Sequence, residues 1–394
     1  MLKTVTAQTE PVKESIACEL IAEGFENVFV ISKDSTLVIG YENRRFRFEP
    51  RGLVEALKII ERTTVNNFPL VIIISYQKIP MLYISLNLVD YRDFLTGQLS
   101  VDEFTEMINI SMENDDFSAL YGSVENNSQF KADFVILPQF RAQFGNFDQP
   151  VQSNINIIPE MNILLAKGLS LKTQVIVPVQ NSFLLDNGES EVRPGIMAIN
   201  QMLRLEDNLF LTASAGFFTM DRVGVNLEFK KYFADGKIAI GTNIGYTAFY
   251  TFIPKQIEYF EDDAYFTGLL SAEYRYQPYD LTGRIQFGNF LYNDPGVRFD
   301  ILRQFGEVNI GFFCIVSQPS EFNGGFNFAI PLPPGKFMKF KYMRLRQADK
   351  FTWEYRAKGF VKNGTIYKTG NELIEIMLEY NPDFFLKRLN KELQ

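Results

Sequence analysis

Phe266-Thr267-Gly268-Leu269-Leu270-Ser271-Ala272-Glu273-Tyr274-Arg275-Tyr276 is the stretch on which the fold turns. On an extended chain, successive side chains point to opposite faces. One face then carries Phe266, Gly268, Leu270, Ala272, Tyr274 and Tyr276. The other carries Thr267, Ser271, Glu273 and Arg275, with only Leu269 apolar. The same period of two recurs on both sides of this stretch. In 133–144, Phe134, Ile136, Phe140 and Phe144 oppose Asp133, Gln139, Arg141 and Gln143. In 222–230, Val223, Val225, Leu227 and Phe229 oppose Arg222, Asn226, Glu228 and Lys230. In 281–288, Ile285 and Phe287 oppose Thr282, Arg284 and Gln286.

Strand length separates two all-β classes that both alternate. Sandwich strands usually run about five or six residues. These run to about ten or more, the length that crosses a bilayer at a tilt. Tight turns join many of them, at Ala166-Lys167-Gly168, Ala234-Asp235-Gly236 and 277–280, while 181–191 and 253–263 read as longer loops. Asp294-Pro295-Gly296 reads as a β-turn, with proline fixing φ and glycine permitting a positive φ. In lipid, every backbone polar group needs an internal partner, and a closed sheet supplies it for strands. The expectation is an up-and-down antiparallel transmembrane β-barrel over 130–360. It would have about 12 strands, or 14 if 337–347 and 350–360 belong to the wall. By parity, Arg141, Glu228, Glu273, Arg275 and Arg284 line its lumen, either as charges that neutralise one another or along a substrate path.

Working outward, 11–113 reads as an α+β domain. Residues 1–10 form a flexible start and 11–23 a short helix. Strands follow at 27–32 and 36–41, then a helix beginning near Pro50 with Leu53, Val54, Leu57, Ile59 and Ile60 at helical spacing. Two more strands lie at 70–76 and 81–86. Ser100 with Glu103 three positions later starts a helix over 100–113, the capping-box pattern. Residues 114–129 read as a polar linker. After the barrel, 361–394 reads as a helical tail, with Glu372, Leu373, Ile376, Met377 and Tyr380 at helical spacing and Pro382 interrupting before 384–389. Arg44, Arg45 and Arg47 could contact an anion, an acidic glycan or a lipid phosphate, since guanidinium forks suit such oxygens. The simpler reading is a salt-bridged strand end that uses Glu42, Glu49 and Glu55.

Composition narrows the chemistry. The 394 residues carry a formal net charge of −8 and no histidine. The charge argues against nucleic acid as a partner. The missing histidine removes His-dependent serine triads and zinc-protease motifs. Cys18 and Cys314 stand far apart, without metal-ligand spacing, and read as small buried or membrane-facing side chains. Glu261-Asp262-Asp263 lacks EF-hand spacing and reads as solvated loop charge. No cofactor is expected. No run of about 20 apolar residues exists, so no transmembrane helix is expected. Val5-Thr6-Ala7 followed by Gln8-Thr9-Glu10 has the form of a signal-peptidase site without its preceding apolar region.

Several stretches resemble the YjbH-type family. They are Gly24-Phe25-Glu26-Asn27-Val28, Tyr41-Glu42-Asn43-Arg44-Arg45-Phe46-Arg47, Val192-Arg193-Pro194-Gly195, Arg222-Val223-Gly224-Val225 and Ala239-Ile240-Gly241. The series continues with Gly288-Asn289-Phe290-Leu291-Tyr292-Asn293-Asp294-Pro295-Gly296, Arg303-Gln304-Phe305-Gly306, Gly311-Phe312-Phe313 and Phe326-Asn327-Phe328-Ala329-Ile330-Pro331-Leu332. No one of these is specific; their order over 24–333 is. The resemblance implies an outer-membrane β-barrel linked to exopolysaccharide or capsule secretion, with periplasmic α/β domains and no enzymatic role. This chain departs from it: typical members are about twice as long, Ile315-Val316-Ser317-Gln318 replaces a Thr-Asp, and the Gly-rich strand is degenerate.

The expected protein is therefore a non-catalytic component of polysaccharide export or surface assembly, held in the bacterial outer membrane with both terminal segments in the periplasm. Its expected partners are outer-membrane lipid, polysaccharide, and periplasmic or outer-membrane export proteins. The alternative is a passive, porin-like channel. A carbohydrate-binding protein and an outer-membrane enzyme rank below both.

Overall fold

The computed structural model describes the chain except for residues 1, 34, 114–123, 125, 145–148, 184–188, 206–207, 254–255, 319–320 and 359–362; at 2–10, 253, 256–257, 261 and 321 it gives backbone alone. Most of the predicted linker lies outside the described residues. The chain divides into two compact units. The first holds 1–131, 334–344 and 377–394; the second holds 132–333 and 345–376.

The first unit runs α1 (Leu2–Glu23), β1 (Glu26–Lys33), β2 (Thr36–Glu42), α2 (Glu49–Thr63), β3 (Pro69–Tyr76), β4 (Ile79–Asn87), α3 (Leu88–Leu95), α4 (Val101–Met107) and β5 (Asn109–Ser111). Its five strands lie in sequence order. β2 and β3 are parallel, with α2 as the crossover, and the other pairs are antiparallel. Pro50 sits in the first turn of α2, where its missing N–H costs no helical bond. Leu53, Val54, Leu57, Ile59 and Ile60 are all buried, each contributing about 1.5–3 kcal/mol by leaving water. Phe29, Val38, Ile73 and Tyr83 pack as one cluster. Gly40 on β2 leaves room for the Phe29 ring, into which a Cβ would project.

Three details differ from the sequence reading. The first helix begins at Leu2 and runs through Pro11, so 1–10 is no coil start. Ser100 and Glu103 form the expected capping box, but α4 stops at Met107 because Asn109 and Ile110 pair with Ser85 and Ile84 of β4. α3 has no counterpart in the reading. Its buried residues are Leu88 and Tyr91, too few to show a period.

Two helices close the chain, α5 (Leu373–Glu379) and α6 (Pro382–Leu393). Pro382 starts α6 behind the N-cap Asn381, whose side chain accepts from Phe384 N. α6 packs on α2 and α4 within the first unit. Its Arg388 guanidinium lies 3.9 Å from the Phe48 ring centroid, and Asn390 donates to Asp102 at 2.7 Å. Residues 361–394 thus divide between the units at residue 376.

The second unit is a long antiparallel meander. It comprises β6 (Ala132–Phe144), β7 (Val151–Ala166), β8 (Leu169–Asn181), β9 (Arg193–Arg204), β10 (Leu209–Phe218), β11 (Arg222–Phe233) and β12 (Ile238–Ile253). It continues with β13 (Gln256–Tyr276), β14 (Leu281–Phe290), β15 (Asp294–Phe305), β16 (Val308–Ser317), β17 (Glu321–Pro331), the later part of β19 (Met343–Gln347) and β20 (Lys350–Arg356), while β18 (Met338–Lys339) falls among the first unit's residues. The sheet has 15 strands, in the order β18-β19-β6, then β7 to β17 in sequence, then β20. It takes in both segments that the sequence left open. Among the described residues no ladder pairs β6 with β20, so the pairings give one broad sheet and not a closed ring.

The ends of this order nevertheless meet in the chain: only Ala348 and Asp349 separate β19 from β20. Ala348 N donates to Ile136 O on β6 at 3.0 Å. Trp353 and Tyr355 of β20 lie 6.2 and 5.9 Å, centroid to centroid, from Phe140 and Phe144 of β6.

Two loop readings are corrected. Of 253–263, the described residues 253 and 256–263 are strand and not loop. There β12 and β13 stay paired from Ile253 with Gln256 onward, and 261–263 bulge where the register shifts between Ala248 and Phe249. The turn near 294 is made by Tyr292 and Asn293, at φ 69° and 54°; Asp294-Pro295-Gly296 already belongs to β15 and pairs with 288–290. The turns at 167–168 and 234–237 are as expected, with Gly168 and Gly236 at positive φ.

Candidate functional site: an inverted sheet with an occupied inner face

Along several strands of the second unit large apolar side chains are exposed while their polar neighbours are buried. On β13, Phe266, Leu270, Tyr274 and Tyr276 are exposed, Phe266 at 54%, while Thr267 and Arg275 are buried at 5% and 4%. On β11, Val225 and Leu227 are exposed while Arg222, Asn226 and Lys230 are buried. On β15, Phe299, Ile301 and Phe305 are exposed while Arg298, Asp300 and Gln304 are buried. A soluble sandwich shows the opposite arrangement. Left in water, each of these outward side chains would forgo about 1.5–3 kcal/mol of burial free energy.

The five candidate lumen residues fall into separate polar groupings. Arg141 pairs with Glu189 at 2.6 Å, donates to Asn154 at 3.0 Å and stacks on Phe183. Glu273 meets Lys230 at 2.8 Å. Arg275 donates to Gln304 and lies 3.3 Å from Asp280. Arg284 shares Asp300 with Arg298, which also reaches Glu354 at 3.3 Å. Glu228 accepts the Leu373 N–H at 2.9 Å. Each of the five has an opposite charge or a polar group beside it.

Parity alone would have found further members. Arg222 opens β11 fully buried; it donates to the backbone oxygens of Thr247 and Asp263 at 2.5 and 2.6 Å and lies over Tyr265. Asp263 adds a carboxylate oxygen at 3.6 Å, so the acidic bulge holds an arginine and is not solvated loop charge. Among the described residues no group of Cys, Asp and Glu side chains is placed to hold a metal ion. Cys18 is exposed on α1, against the expectation of burial, and Cys314 is half-buried on β16.

Residues 363–373 lie against the inner face, from a turn at 363–364 to the start of α5. Asn363 and Gly364 are buried, and from Thr365 the burial alternates, with Thr365, Tyr367, Thr369, Asn371 and Leu373 turned to the wall. The Tyr367 ring stacks on Phe218 at 5.5 Å and 6°. Its hydroxyl donates to Asn226 Oδ1 at 2.9 Å and lies 3.3 Å from Thr267 Oγ1. Ile196, Ala198, Phe218, Leu291 and Tyr367 make a small apolar cluster here, flanked by Tyr265 and Tyr292.

In the first unit the arginine cluster turns inward. Arg44 is buried, 3.1 Å from Glu26 and 4.0 Å from Glu42. Arg45 donates to Phe337 O, and the Arg47 guanidinium lies over Phe48. Of the carboxylates expected beside them, Glu42 meets Arg44. Glu55 instead pairs with Lys58, and Glu49 accepts from Tyr380. Burial works against ionised Glu26, but Arg44, Lys339 and Lys131 together hold its carboxyl below the usual range. Burial and the neighbouring Glu42 push Glu49 up to about 8. Burial also raises Glu42.

No curated protein matches the chain in sequence. The YjbH family model, described as "Exopolysaccharide biosynthesis protein YbjH", matches residues 2–334. That span covers most of both units, including the inverted strands β6 to β17, and the chain belongs to the YjbH family of exopolysaccharide biosynthesis proteins.

Proposed function

We propose that this protein is a non-catalytic outer-membrane component of exopolysaccharide secretion. In this reading the meander closes into a β-barrel, and the first unit stands in the periplasm as the docking part. The inverted sheet carries the argument: long strands with Phe, Leu, Ile and Tyr outward and Arg, Asn, Thr and Asp inward suit a lipid surround and a polar interior. Barrel closure is supported by the two-residue link between β19 and β20 and by the rings that join β20 to β6. A closed sheet would also leave no exposed backbone edge in lipid. Secretion is supported by the family, and a non-enzymatic role by candidate residues that fall into separate polar groupings. The partners on this reading are outer-membrane lipid, polysaccharide and envelope export proteins. The paired interior charges and the segment along the inner face weigh against a freely open channel.

The test is fractionation with gel mobility. The expected result is a protein in the outer-membrane fraction whose band shifts on boiling, and a changed surface or secreted glycan when the gene is deleted. A soluble periplasmic protein with no heat shift would overturn the barrel. An unaltered glycan profile would overturn the role in secretion.

A further inference from the structure

The inner face of the second unit is not bare. From residue 363 the chain crosses it, touching strands from both halves of the meander. Asn363 Oδ1 accepts from Asn323 on β17 at 3.0 Å, and Asn363 O accepts from Arg356 on β20 at 3.2 Å. Gly364 N donates to Asp294 Oδ2 on β15 at 2.6 Å, and Thr365 O accepts from Leu291 N at 3.1 Å. Tyr367 then reaches β10, β11 and β13 through Phe218, Asn226 and Thr267. Lys368 exchanges two bonds with Thr219, N to Oγ1 at 2.7 Å and O from N at 3.0 Å. Leu373 N ends the run on Glu228 of β11.

Two features distinguish this crossing from a further strand of the sheet. It forms no ladder: most of its bonds run to wall side chains, and Thr369 N and Gly370 N turn back to the segment's own Glu372 at 2.5 and 2.9 Å. Such bonds on a polar wall exchange for water at a net cost of about 1 kcal/mol each. The wall is also cut to fit one side chain. Gly245 faces inward on β12 between Asn226 and Thr267, and a Cβ there would lie inside the Tyr367 hydroxyl oxygen. A glycine within a strand weakens it, so one at this place marks a close approach.

We infer that residues 363–373 are a releasable strap that narrows the interior of the sheet, and that Tyr367, seated on Phe218 and in the notch at Gly245, is its latch. With the strap in place the path between the two halves of the meander is obstructed. With it withdrawn, the polar inner face is open along its length. The conduit part of this inference rests on the barrel reading above; the strap and its latch do not.

Two variants disturb the latch from opposite sides. Gly245→Ala fills the notch, and Tyr367→Ala removes the ring and its hydroxyl. Gly283→Ala, where a Cβ meets nothing within 4 Å, is the control for changing a strand glycine. The first readout is hydrogen exchange of the full-length protein in detergent, which needs no bilayer. Both latch variants should raise exchange at Gly364, Lys368 and Leu373 by about tenfold or more, and the control should leave it unchanged. The second is single-channel conductance in planar bilayers, expected to rise about twofold or more over wild type, because a chain segment crossing the interior takes up part of the cross-section of a barrel of this strand number. Gel heat-shift checks folding; should Gly245→Ala not fold, Tyr367→Ala, which adds no atoms, decides alone. Folded latch variants with wild-type exchange would overturn the strap. Faster exchange in a protein that never enters bilayers would keep the strap and overturn the barrel.

Discussion

The lipid-facing reading can be tested at a single side chain. Leu270 lies on the outer face of β13, midway between Ala264, where unbroken pairing with β12 begins, and Tyr276, the last residue of the strand. At about 3.4 Å per residue it is about 20 Å from either end of that stretch. Tilted by about 40°, as barrel strands are, this puts it about 15 Å from each boundary, near the middle of a hydrocarbon layer about 30 Å thick. An arginine at such a depth costs about 2–4 kcal/mol, falling to about 0–1 kcal/mol near an interface. Were the sheet in water, Leu270→Arg would be a surface change at a half-exposed site, worth about 0.5 kcal/mol or less. The two surroundings therefore differ several-fold for one substitution. The assay is reversible urea unfolding of the protein in phospholipid vesicles, followed by the heat-shifted gel band, with Tyr276→Arg at the strand end as the shallow comparison. A loss of 2 kcal/mol or more for Leu270→Arg and less than half of that for Tyr276→Arg is expected. Equal losses, or none, would refute the placement of this face in lipid.

Other expectations concern the interior and the first unit. Asp300→Asn removes the carboxylate that Arg284 and Arg298 share, and should lower stability by about 3 kcal/mol in the same vesicle assay. Gly40→Ala drives a Cβ into the Phe29 ring and should cost about 1–3 kcal/mol of first-unit stability, read from amide exchange in β2 and β3. Glu49 has its carboxyl raised from 4.5 to about 8, so between those values the folded chain binds a proton that the unfolded chain does not. Its contribution is therefore complete below about pH 4.5 and is lost as pH rises toward 8, at most about 5 kcal/mol at 1.4 kcal/mol per unit. Protection of the α2 amides should fall over that window in wild type and much less in Glu49→Gln; parallel pH profiles would rule the idea out. Glu26, held low by Arg44, Lys339 and Lys131, acts at the other end, where acid below its usual range removes its share.

The second unit was legible because a period of two survives any exposed face. Phe266 to Tyr276 assigns its residues to two sides without reference to a partner strand, and the structure keeps both sides as read. What one strand could not give is what lies across the interior. Arg275 was visible as inward; its partners Gln304 and Asp280 come from β15 and from a turn, joined by register and not by sequence distance. Asp294 looked like turn chemistry because Asp-Pro-Gly has that composition. Its carboxylate serves Gly364, 70 residues on, and Tyr292 and Asn293 take the strained φ values. Tyr367 carried no signal at all. Its segment, Asn363 to Asn371, is short and polar, and nothing local marks a polar segment as interior when the surroundings that bury it are themselves polar. Gly245 is one of two glycines in β12, and in the sequence nothing sets it apart from Gly241.

The two units call for different solvents. In the first, Phe29, Val38, Ile73 and Tyr83 and the apolar side of α2 turn to one another, and leaving water is reason enough to fold. In the second, the described inner face gathers Asn, Thr, Arg and Asp around one small apolar cluster at Tyr367. Polar pairs of that kind gain little over their bonds to water. The apolar area that could drive folding is on the outside, in Phe266, Leu270, Phe299 and Ile301, and can be removed from water only by something that is not this chain. On the proposed reading that something is lipid, and the order of assembly follows: the first unit can form in the periplasm, while the meander gains its stability as it enters the membrane. The strap fits the same logic. Held by polar contacts on a polar wall, it can be in place or withdrawn without disturbing the apolar outer face that holds the sheet in its surroundings.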